Sequence, residues 1–320
     1  MKDKKLHYYL REYSPIIAFV IIVVIALITE GATFLNYRNI SNVMLNNAVI
    51  GIVALGMTMI IITGGIDLSV GSQLALTGLI GISVFNRTNS IIISLLVSIA
   101  LGLFTGFVSG FLVAKFKIPA FIVTLGATNV YRSLTQYFYH GGGILASAPK
   151  LDGFLAISNS KLFGIIPLPI IYWIIFTIIV AFIMRSTSLG RYIYGVGSNE
   201  QATKLSGVNT KKIIIITYVL SGILVAFASI IEASRLGSMN SASSGLSYEM
   251  DAIAAVVIGG TSMSGGHGKI IGTFFGCMTL GIINNMLNLQ GVNSFLVGAI
   301  KGAIIVGAVL FQKYLESKEE

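Results

Sequence analysis

The sequence is poor in charged residues, which make up 10% of the chain against about 25% in an ordinary soluble domain. Hydrophobic residues make up 55%, and apolar runs of about 20 residues, the length that crosses a bilayer, recur along the whole chain. So much apolar surface must face something other than water. The composition therefore excludes an ordinary soluble protein and predicts an all-α polytopic membrane protein.

Residues that build covalent or metal cross-links are also scarce. Cys277 is the only cysteine, so the chain cannot form an internal disulfide. His7, His140 and His267 are far apart in the sequence and form no ligand pair at helical spacing. Because metal-binding histidines in helical proteins need such a pairing, no metal site is predicted.

Ten apolar segments are predicted to cross the membrane, which places both chain termini on the same side. They cover residues 16–35, 43–63, 68–85, 91–114, 119–138, 166–184, 213–232, 251–263, 270–288 and 294–312. The first segment is too long for the apolar region of a cleaved signal peptide, so it is interpreted as a retained span. The chain, residues 1–320, is predicted to be one transmembrane domain with two pseudo-repeated halves, 16–138 and 166–312.

The net charge of +9 follows this topology. With a cytoplasmic N-terminus, fourteen of the 21 Lys and Arg residues fall in predicted inner segments and five in predicted outer segments. Cytoplasmic loops of membrane proteins carry this excess of Lys and Arg. The positive charge is therefore explained by the topology, no nucleic-acid partner is predicted, and both termini are placed in the cytoplasm.

Two predicted spans are interrupted by glycines. The stretch Asp251–Met263 is too short to cross a core about 30 Å thick, and another span opens directly after Asp67. IIITGGIDLSVGS (Ile60–Ser72) and VVIGGTSMSGGHG (Val256–Gly268) share an aliphatic run, a Gly-Gly pair and a further glycine. A broken helix repeated in two halves points to a transport pathway. The predicted path or gate residues are Gly64, Gly65, Asp67, Ser69, Gly71, Gly259, Gly260, Ser264 and Gly265.

Several roles are open for Asp67. An ionisable side chain at membrane depth can bind substrate, relay protons or stabilise the fold. It can also cap the following helix by accepting backbone N–H groups near Val70, where the helix dipole favours negative charge. Among the other charges, Glu232 and Arg235 are three residues apart and can pair on one helix face. Lys301, in the last span, either snorkels to an interface or faces the interior.

Glycines at intervals of four mark two helix faces. Gly102, Gly106 and Gly110 lie in the fourth predicted span, and Gly298 and Gly302 lie in the last. Small residues at this spacing let helix backbones approach closely in a membrane. Both faces are therefore predicted to be structural contacts.

The sequence contains no recognisable catalytic machinery. In GGHGKI (Gly265–Ile270), the Gly-Lys pair lacks both the upstream glycine and the following Ser or Thr of a phosphate-binding loop. A Gly-x-Ser-x-Gly nucleophile elbow is also absent. The chain is therefore predicted to be neither an enzyme nor a nucleotide-binding protein, and it needs no cofactor of its own.

The longest predicted inner loop, residues 185–212, contains a short helix signal. In SNEQATKLSG, either Ser198 or Asn199 can start a helix, an acid occupies the first turn and Gly207 can stop it. This helix is either an ordinary loop element or a docking site for a soluble partner. The long outer loop, residues 139–167, likewise either receives an outer partner or only connects two spans.

Three segments closely resemble the permease subunits of carbohydrate ABC importers: GGIDLSVGS, GRYIYGVGSNEQATKLSGVN and MDAIAAVVIGGTSMSGGHGKIIGT. The resemblance runs from about Asn42 to the last span. It implies a homodimeric or heterodimeric pore of about ten helices per subunit in the bacterial cytoplasmic membrane. It also implies two kinds of partner, a cytoplasmic ATPase that binds ATP and Mg, and an extracellular or periplasmic sugar-binding protein.

The expected activity is inward transport of a monosaccharide, with ribose the first expectation, by alternating access. An ion-coupled secondary transporter of a small polar solute, centred on Asp67, is the alternative. The resemblance assigns residues 185–212 as a cytoplasmic coupling loop, with Asn199, Glu200, Ala202 and Gly207 contacting the ATPase. The sequence departs from the fuller coupling motif of other importers, because no Leu-Pro follows Gly207.

Overall fold

The computed structural model describes residues 13–316, and this part of the chain is mostly helical. The first helices are α1 (Ser14–Glu30), α2 (Ala32–Leu35), α3 (Tyr37–Ile62), α4 (Val70–Thr88), α5 (Ile91–Phe116) and α6 (Ala120–Phe138). They are followed by α7 (Leu151–Asn159), α8 (Leu168–Ser186), α9 (Ser188–Ser198), α10 (Glu200–Leu205), α11 (Thr210–Leu236), α12 (Tyr248–Ile258), α13 (Ile270–Leu289) and α14 (Ser294–Glu316). The predicted inner charges Lys2, Lys4, Lys5, Arg11 and Lys318 lie outside the described residues.

Two small sheets depart from the predicted all-α class. The strands are β1 (Gly143–Leu145), β2 (Lys161–Leu162), β3 (Ile166–Pro167) and β4 (Ser238–Asn240). β1 pairs antiparallel with β4, and β2 pairs antiparallel with β3. They arise because the loops at this end of the bundle fold back on one another and pair their backbone groups. The fold is therefore helical with two short two-stranded sheets, of which only β2 and β3 form a hairpin.

Five helices within residues 13–316 are long and apolar enough to cross a membrane: α3, α5, α8, α11 and α13. The structure also has a helix at each of the other predicted spans. The prediction of a helical protein with several membrane-spanning segments is confirmed to this extent. The count of ten crossings and the pseudo-repeat of the two halves remain predictions.

Two predicted span boundaries are wrong, and the predicted inner loop contains one more helix than predicted. The first span is interrupted because Gly31, with φ of 54°, ends α1 and a separate short helix α2 follows. The span predicted at 251–263 is instead α12, which begins earlier and ends before Gly259. The predicted loop 185–212 is largely helical, since α9 and α10 occupy most of it.

Helix α11 lies at the centre of the bundle and packs along α5, α3 and α4. The predicted glycine face of α5 makes this contact, because a Cβ at Gly102 would overlap the carbonyl oxygen of Gly222. Helix α3 adds the most buried stretch, residues 51–62. In α14, by contrast, a Cβ at Gly298 or Gly302 would meet nothing within 4 Å. That second glycine face therefore makes no contact within the described part of the chain.

The loops that were predicted to lie on the outer side of the membrane meet at one end of the bundle, which we call the outer end. Asn86 of α4 accepts a hydrogen bond from the Ser147 amide and donates one to the Leu145 carbonyl, each at 2.8 Å. Arg235 of α11 donates to the side chain of Asn46 at 2.8 Å. The predicted inner connections meet at the opposite inner end. The contacts agree with the predicted pairing of sides, and the orientation toward the cytoplasm remains a prediction.

Candidate transport and coupling site

The two glycine breaks lie against each other at the inner end. The first, residues 63–69, separates α3 from α4, and the second, residues 259–269, separates α12 from α13. The amide of Gly266 in the second break donates to the carbonyl of Ile62, just before the first, at 2.8 Å. The two segments, far apart in sequence, therefore form one structural unit, which we call the double break.

Backbone geometry requires glycine in both breaks. Gly64, Gly260 and Gly265 have φ of 84°, 78° and 83°, in the left-handed region that other residues rarely adopt. The approach is also close, because a Cβ on Gly265 would lie 3.1 Å from the amide nitrogen of Gly64. These glycines therefore determine both the bends and their contact.

Asp67 closes a turn ahead of α4 and does not cap the helix itself. Its Oδ1 accepts hydrogen bonds from the Ser69 amide at 2.8 Å and from the Ser69 hydroxyl at 2.6 Å. Ser69 is the N-cap residue of α4, which begins at Val70. Asp67 therefore accepts a hydrogen bond from one backbone amide next to Val70, although Ser69 and not Asp67 is the N-cap residue, and Asp67 is only 3% exposed.

Helix α6 satisfies two of the carbonyl groups that the first break leaves without helical partners. The Thr124 hydroxyl donates to the Ile66 carbonyl at 3.2 Å, and the Thr128 hydroxyl donates to the Leu68 carbonyl at 2.7 Å. Irregular backbone at membrane depth is tolerated where other protein groups complete its hydrogen bonds. The first break is therefore held in place by α6.

The end of α9 packs onto both breaks. A Cβ on Gly197 would overlap the carbonyl oxygen of Ile62 and would lie 2.6 Å from the amide nitrogen of Gly266. The Tyr194 hydroxyl donates to the carbonyl of Gly268 at 2.7 Å. Only glycine fits at position 197 without moving one of the breaks. This contact, which the sequence did not predict, joins α9 to the double break.

The predicted coupling helix forms as α10. The Asn199 side chain accepts from the Ala202 amide at 2.9 Å, so Asn199 is the N-cap, and Gly207 follows the helix with φ of 85°. Glu200 accepts a hydrogen bond from the Thr210 hydroxyl at 3.0 Å, which ties α10 to the start of α11. No residue of α10 is buried. The helix is thus anchored at its ends and open along its surface.

A cavity of about 240 Å³ lies between the first break and α10. Its lining includes Gly64, Gly65, Lys117, Glu200 and Tyr218. The Tyr218 hydroxyl is buried and has no hydrogen-bond partner in the described part of the chain. Predicted path residues and a predicted coupling residue therefore share one cavity.

Of the remaining predicted path residues, Gly71 lies in α4 after the first break, whereas Gly259 and Ser264 belong to the second break. Gly71 packs against Gly245, because a Cβ on Gly71 would overlap the carbonyl oxygen of Gly245. Gly259 packs closely on Gly272 of α13, and Ser264 is exposed. The predicted set is therefore distributed over two levels of the bundle.

A second polar region, which the sequence did not single out, is the serine segment Ser238–Ser247 (SMNSASSGLS). It starts at the outer end as β4 and contacts α4 at Gly71. Gln73, two residues later, donates to the Gly102 carbonyl at 3.2 Å and adjoins Gly222. These two glycines lie near the middle of α5 and α11, which are 26 and 27 residues long. The serine segment therefore reaches the middle of the bundle without being helical.

Arg132 of α6 holds the serine segment in place. Its guanidinium donates to the carbonyls of Ser241 and Ser244, each at 2.9 Å. The Ser241 amide donates to the Gly142 carbonyl at 2.9 Å, and the Asn240 side chain accepts from two following amides. These bonds replace those that a helix would provide. They explain how α12 can be too short to span a membrane, since the serine segment supplies the remaining length.

Other charged residues meet around α12. The Lys301 ammonium lies 2.9 Å and 3.2 Å from the two carboxylate oxygens of Asp251, so α14 is joined to α12 and Lys301 faces the interior. Glu232 accepts a hydrogen bond from the Tyr248 hydroxyl at 2.8 Å. Because Arg235 bonds to α3, the pairing of Glu232 with Arg235 is replaced by bonds to other segments.

Comparison with known proteins agrees with a transport role. The family described as "Branched-chain amino acid transport system / permease component" matches residues 39–309. The ribose import permease protein RbsC of Escherichia coli K12 is 41% identical over 312 residues, which cover 94% of each chain. RbsC of Bacillus subtilis is 37% identical over 98% of this chain and 96% of its own. The galactose/methyl galactoside import permease protein MglC of Escherichia coli K12 is 32% identical over 97% of each.

No solved structure shows significant similarity to the chain. The family match includes both breaks, the coupling helix and the serine segment, all of which fall within residues 39–309. The relatives align over nearly their whole lengths, so the similarity is not confined to a shared motif. The chain therefore belongs to this permease family and is similar throughout to ribose import permeases.

Proposed function

We propose that this chain is the membrane-spanning permease subunit of an ATP-driven importer that carries a monosaccharide, ribose, into the cytoplasm. The observation that carries this proposal is the 41% identity to a ribose import permease over 94% of both chains. A galactoside import permease is less similar, at 32% identity, which favours ribose over galactose. Because the family description mentions branched-chain amino acids, an amino acid is the competing substrate class.

The ATPase partner docks on α10 in this proposal. Leu205, at the end of α10, is 89% exposed and is available for contact with another protein. Asn199, Glu200, Ala202 and Gly207 form the ends and face of the same short element. The partner binds ATP and Mg and hydrolyses the nucleotide, and the permease chain contributes the docking surface.

Motion of the partner reaches the gate through α9. Helix α10 follows α9 directly, and α9 contacts both breaks through Gly197 and Tyr194. Closely packed backbones move together because packed interiors transmit displacement. A shift of α9 and α10 therefore moves both breaks at once, which opens or closes the inner end in alternating access.

A second copy of this permease covers α14. The faces at Gly298 and Gly302 meet nothing within 4 Å in the described chain, and glycine faces in membranes favour close helix contacts. The sugar-binding protein docks at the outer end, where β1 and β4 join the loops. The assembly therefore has two permease chains between an inner ATPase and an outer binding protein.

The proposed location is the bacterial cytoplasmic membrane, with both termini in the cytoplasm. The excess of Lys and Arg in predicted inner segments supports this orientation. The same orientation places α10 in the compartment that contains ATP. The distribution of Lys and Arg and the proposed docking of the ATPase on α10 therefore both support a cytoplasmic inner end.

The test is reconstitution of the purified chain with its ATPase and binding protein in proteoliposomes. Uptake of labelled ribose is measured with internal or external ATP, with and without the binding protein, and is compared with galactose and leucine. We expect ribose uptake only when ATP and the binding protein are both present.

Uptake driven by a proton or sodium gradient without ATP would instead support an ion-coupled transporter. Preferential uptake of leucine would reassign the substrate to the amino acid class. Both outcomes are distinguished from a failed reconstitution by the ATPase activity of the assembled complex, which is measured in the same vesicles.

A further inference from the structure

Helix α6 has a polar face that the rest of the described chain leaves uncovered. Asn129, Ser133 and Gln136 are spaced four and three residues apart, so they lie on the same side of the helix, and all three are exposed. One turn earlier, a Cβ on Gly126 would meet nothing within 4 Å. This side of α6 therefore carries exposed polar groups from Asn129 to Gln136, next to exposed apolar side chains elsewhere on the helix.

The serine segment presents further polar groups beside this face. Arg132 of α6 bonds to the carbonyls of Ser241 and Ser244, which places the segment directly against α6. Ser243 and Ser247, in the same segment, are exposed. Two elements from distant parts of the sequence thus form one continuous polar surface.

The depth of this surface determines what it can face. The serine segment reaches the level of Gly71, near the middle of the bundle, with irregular backbone. Irregular backbone at membrane depth does not face lipid, because hydrocarbon cannot complete its hydrogen bonds. It is tolerated where it is buried in protein or lines a water-filled cavity. Since Ser243 and Ser247 are exposed, the segment borders a water-filled space.

The chemistry of the surface selects the ligand. The guanidinium of Arg132 is occupied by backbone carbonyls, and the ammonium of Lys301 is paired with Asp251. The exposed polar groups of Asn129 and Ser133 on α6 and of Ser243 and Ser247 in the serine segment are hydroxyls and an amide, which both donate and accept hydrogen bonds. Such groups match the hydroxyls of a neutral sugar.

We propose that Asn129 and Ser133 of α6, with Ser243 and Ser247 of the serine segment, line the passage and hydrogen-bond the hydroxyls of the transported sugar. This inference rests on the proposed function. It places sugar contact at the middle of the bundle, above the double break, and it leaves gating to the breaks at the inner end.

The first test measures access of water to these positions. Cys277, the only cysteine, is 1% exposed, so single added cysteines can be labelled selectively. Asn129→Cys and Ser243→Cys are prepared in the complete transporter in lipid nanodiscs and treated with a charged, water-soluble thiol reagent during ATP turnover. The matched control is Ile178→Cys, because Ile178 is 62% exposed on the apolar helix α8.

We expect both polar-face cysteines to react, ribose to slow their reaction, and the Ile178→Cys control to remain unlabelled. Absence of reaction at both positions would show that lipid or a second copy covers the surface, and it would overturn the proposal. Equal labelling of the control would show that access does not follow the polar face, which would also count against it.

The second test separates sugar contact from structure. Asn129→Leu and Ser243→Ala remove hydrogen-bonding groups, and Ser243→Thr retains the hydroxyl. We expect Asn129→Leu to lower ribose uptake per ATP hydrolysed about tenfold, with ATPase activity unchanged within about twofold. Ser243→Thr should transport better than Ser243→Ala. Normal uptake by both Asn129→Leu and Ser243→Ala would contradict a contact with the sugar.

The unmodified transporter distinguishes this inference from the proposed function. If it fails to take up ribose with ATP and the binding protein, the proposed function is wrong. If it takes up ribose while the cysteines stay unlabelled and the variants transport normally, only the assignment of the passage is wrong.

Discussion

At Asp67 the contributions of charge and of hydrogen bonding can be separated. The carboxylate is 3% exposed and accepts two hydrogen bonds from Ser69, one from its amide and one from its hydroxyl. An asparagine side chain retains an oxygen that can accept these bonds and lacks the charge. The comparison of Asp67→Asn with Asp67→Ala therefore tests whether the turn or the charge is needed.

We expect Asp67→Ala to lower the free energy of unfolding by about 1–3 kcal/mol, because the buried Ser69 amide loses its acceptor. Asp67→Asn should lower it less and should retain ribose uptake. The measurements are apparent Tm in detergent and uptake in proteoliposomes. Loss of uptake in Asp67→Asn with an unchanged Tm would instead assign the charge a direct role in transport.

Among the elements, α9 connects the coupling helix to the double break. The sequence contains a start signal for α9, because Thr187 is a residue type that often caps helices. In the structure, the Thr187 hydroxyl accepts a hydrogen bond from the Gly190 amide. The inner loop 185–212 was nevertheless predicted to contain only one short helix, the later α10. The end of α9 packs against the backbone of α3 and of the second break. No pattern within the sequence of α9 predicts this contact.

Gly197→Ala tests this element contact. The added Cβ would overlap the Ile62 carbonyl, and such overpacking costs about 1–3 kcal/mol. We expect ribose uptake to fall at least about tenfold while the ATPase still copurifies, because α10 itself is unchanged. The matched control is Gly153→Ala in α7, where a Cβ would meet only the Ile91 side chain at 3.4 Å. Normal uptake by Gly197→Ala would remove α9 from the coupling route.

At the scale of the whole molecule, the two ends of the bundle are expected to bind different partners. Leu205 at the inner end is 89% exposed, and Phe163 at the outer end is 86% exposed. Neither side chain contributes to the core, so a charge at either position has little effect on folding. The pair therefore offers a test of which end receives the ATPase.

We expect Leu205→Glu to weaken ATPase binding at least tenfold, because a charge at the centre of an apolar contact must be desolvated. Phe163→Glu should leave ATPase binding unchanged, and neither variant should alter the apparent Tm of the isolated permease. Copurification from membranes and titration in detergent give the measurement. Loss of ATPase binding in Phe163→Glu alone would reverse the proposed orientation.

Much of the fold was predictable where the signal is local. The apolar runs predicted the long helices, the Gly-Gly pairs predicted both breaks, and the cap at Asn199 with the stop at Gly207 predicted α10. The serine segment was missed because nothing in its own composition indicates membrane depth. Its position depends on Arg132 and Gly71, which are more than 100 residues away in the chain.

The sequence by itself determined that the chain lies in a membrane, where its helices break, and which permeases it resembles, because composition, backbone propensity and motif spacing are local properties. The tertiary structure alone decided that the two breaks touch, that α9 packs onto both, and that a serine segment reaches the middle of the bundle beside α6. These are contacts between distant residues. They depend on helix packing and on the need to satisfy buried backbone groups, which no single stretch of sequence specifies.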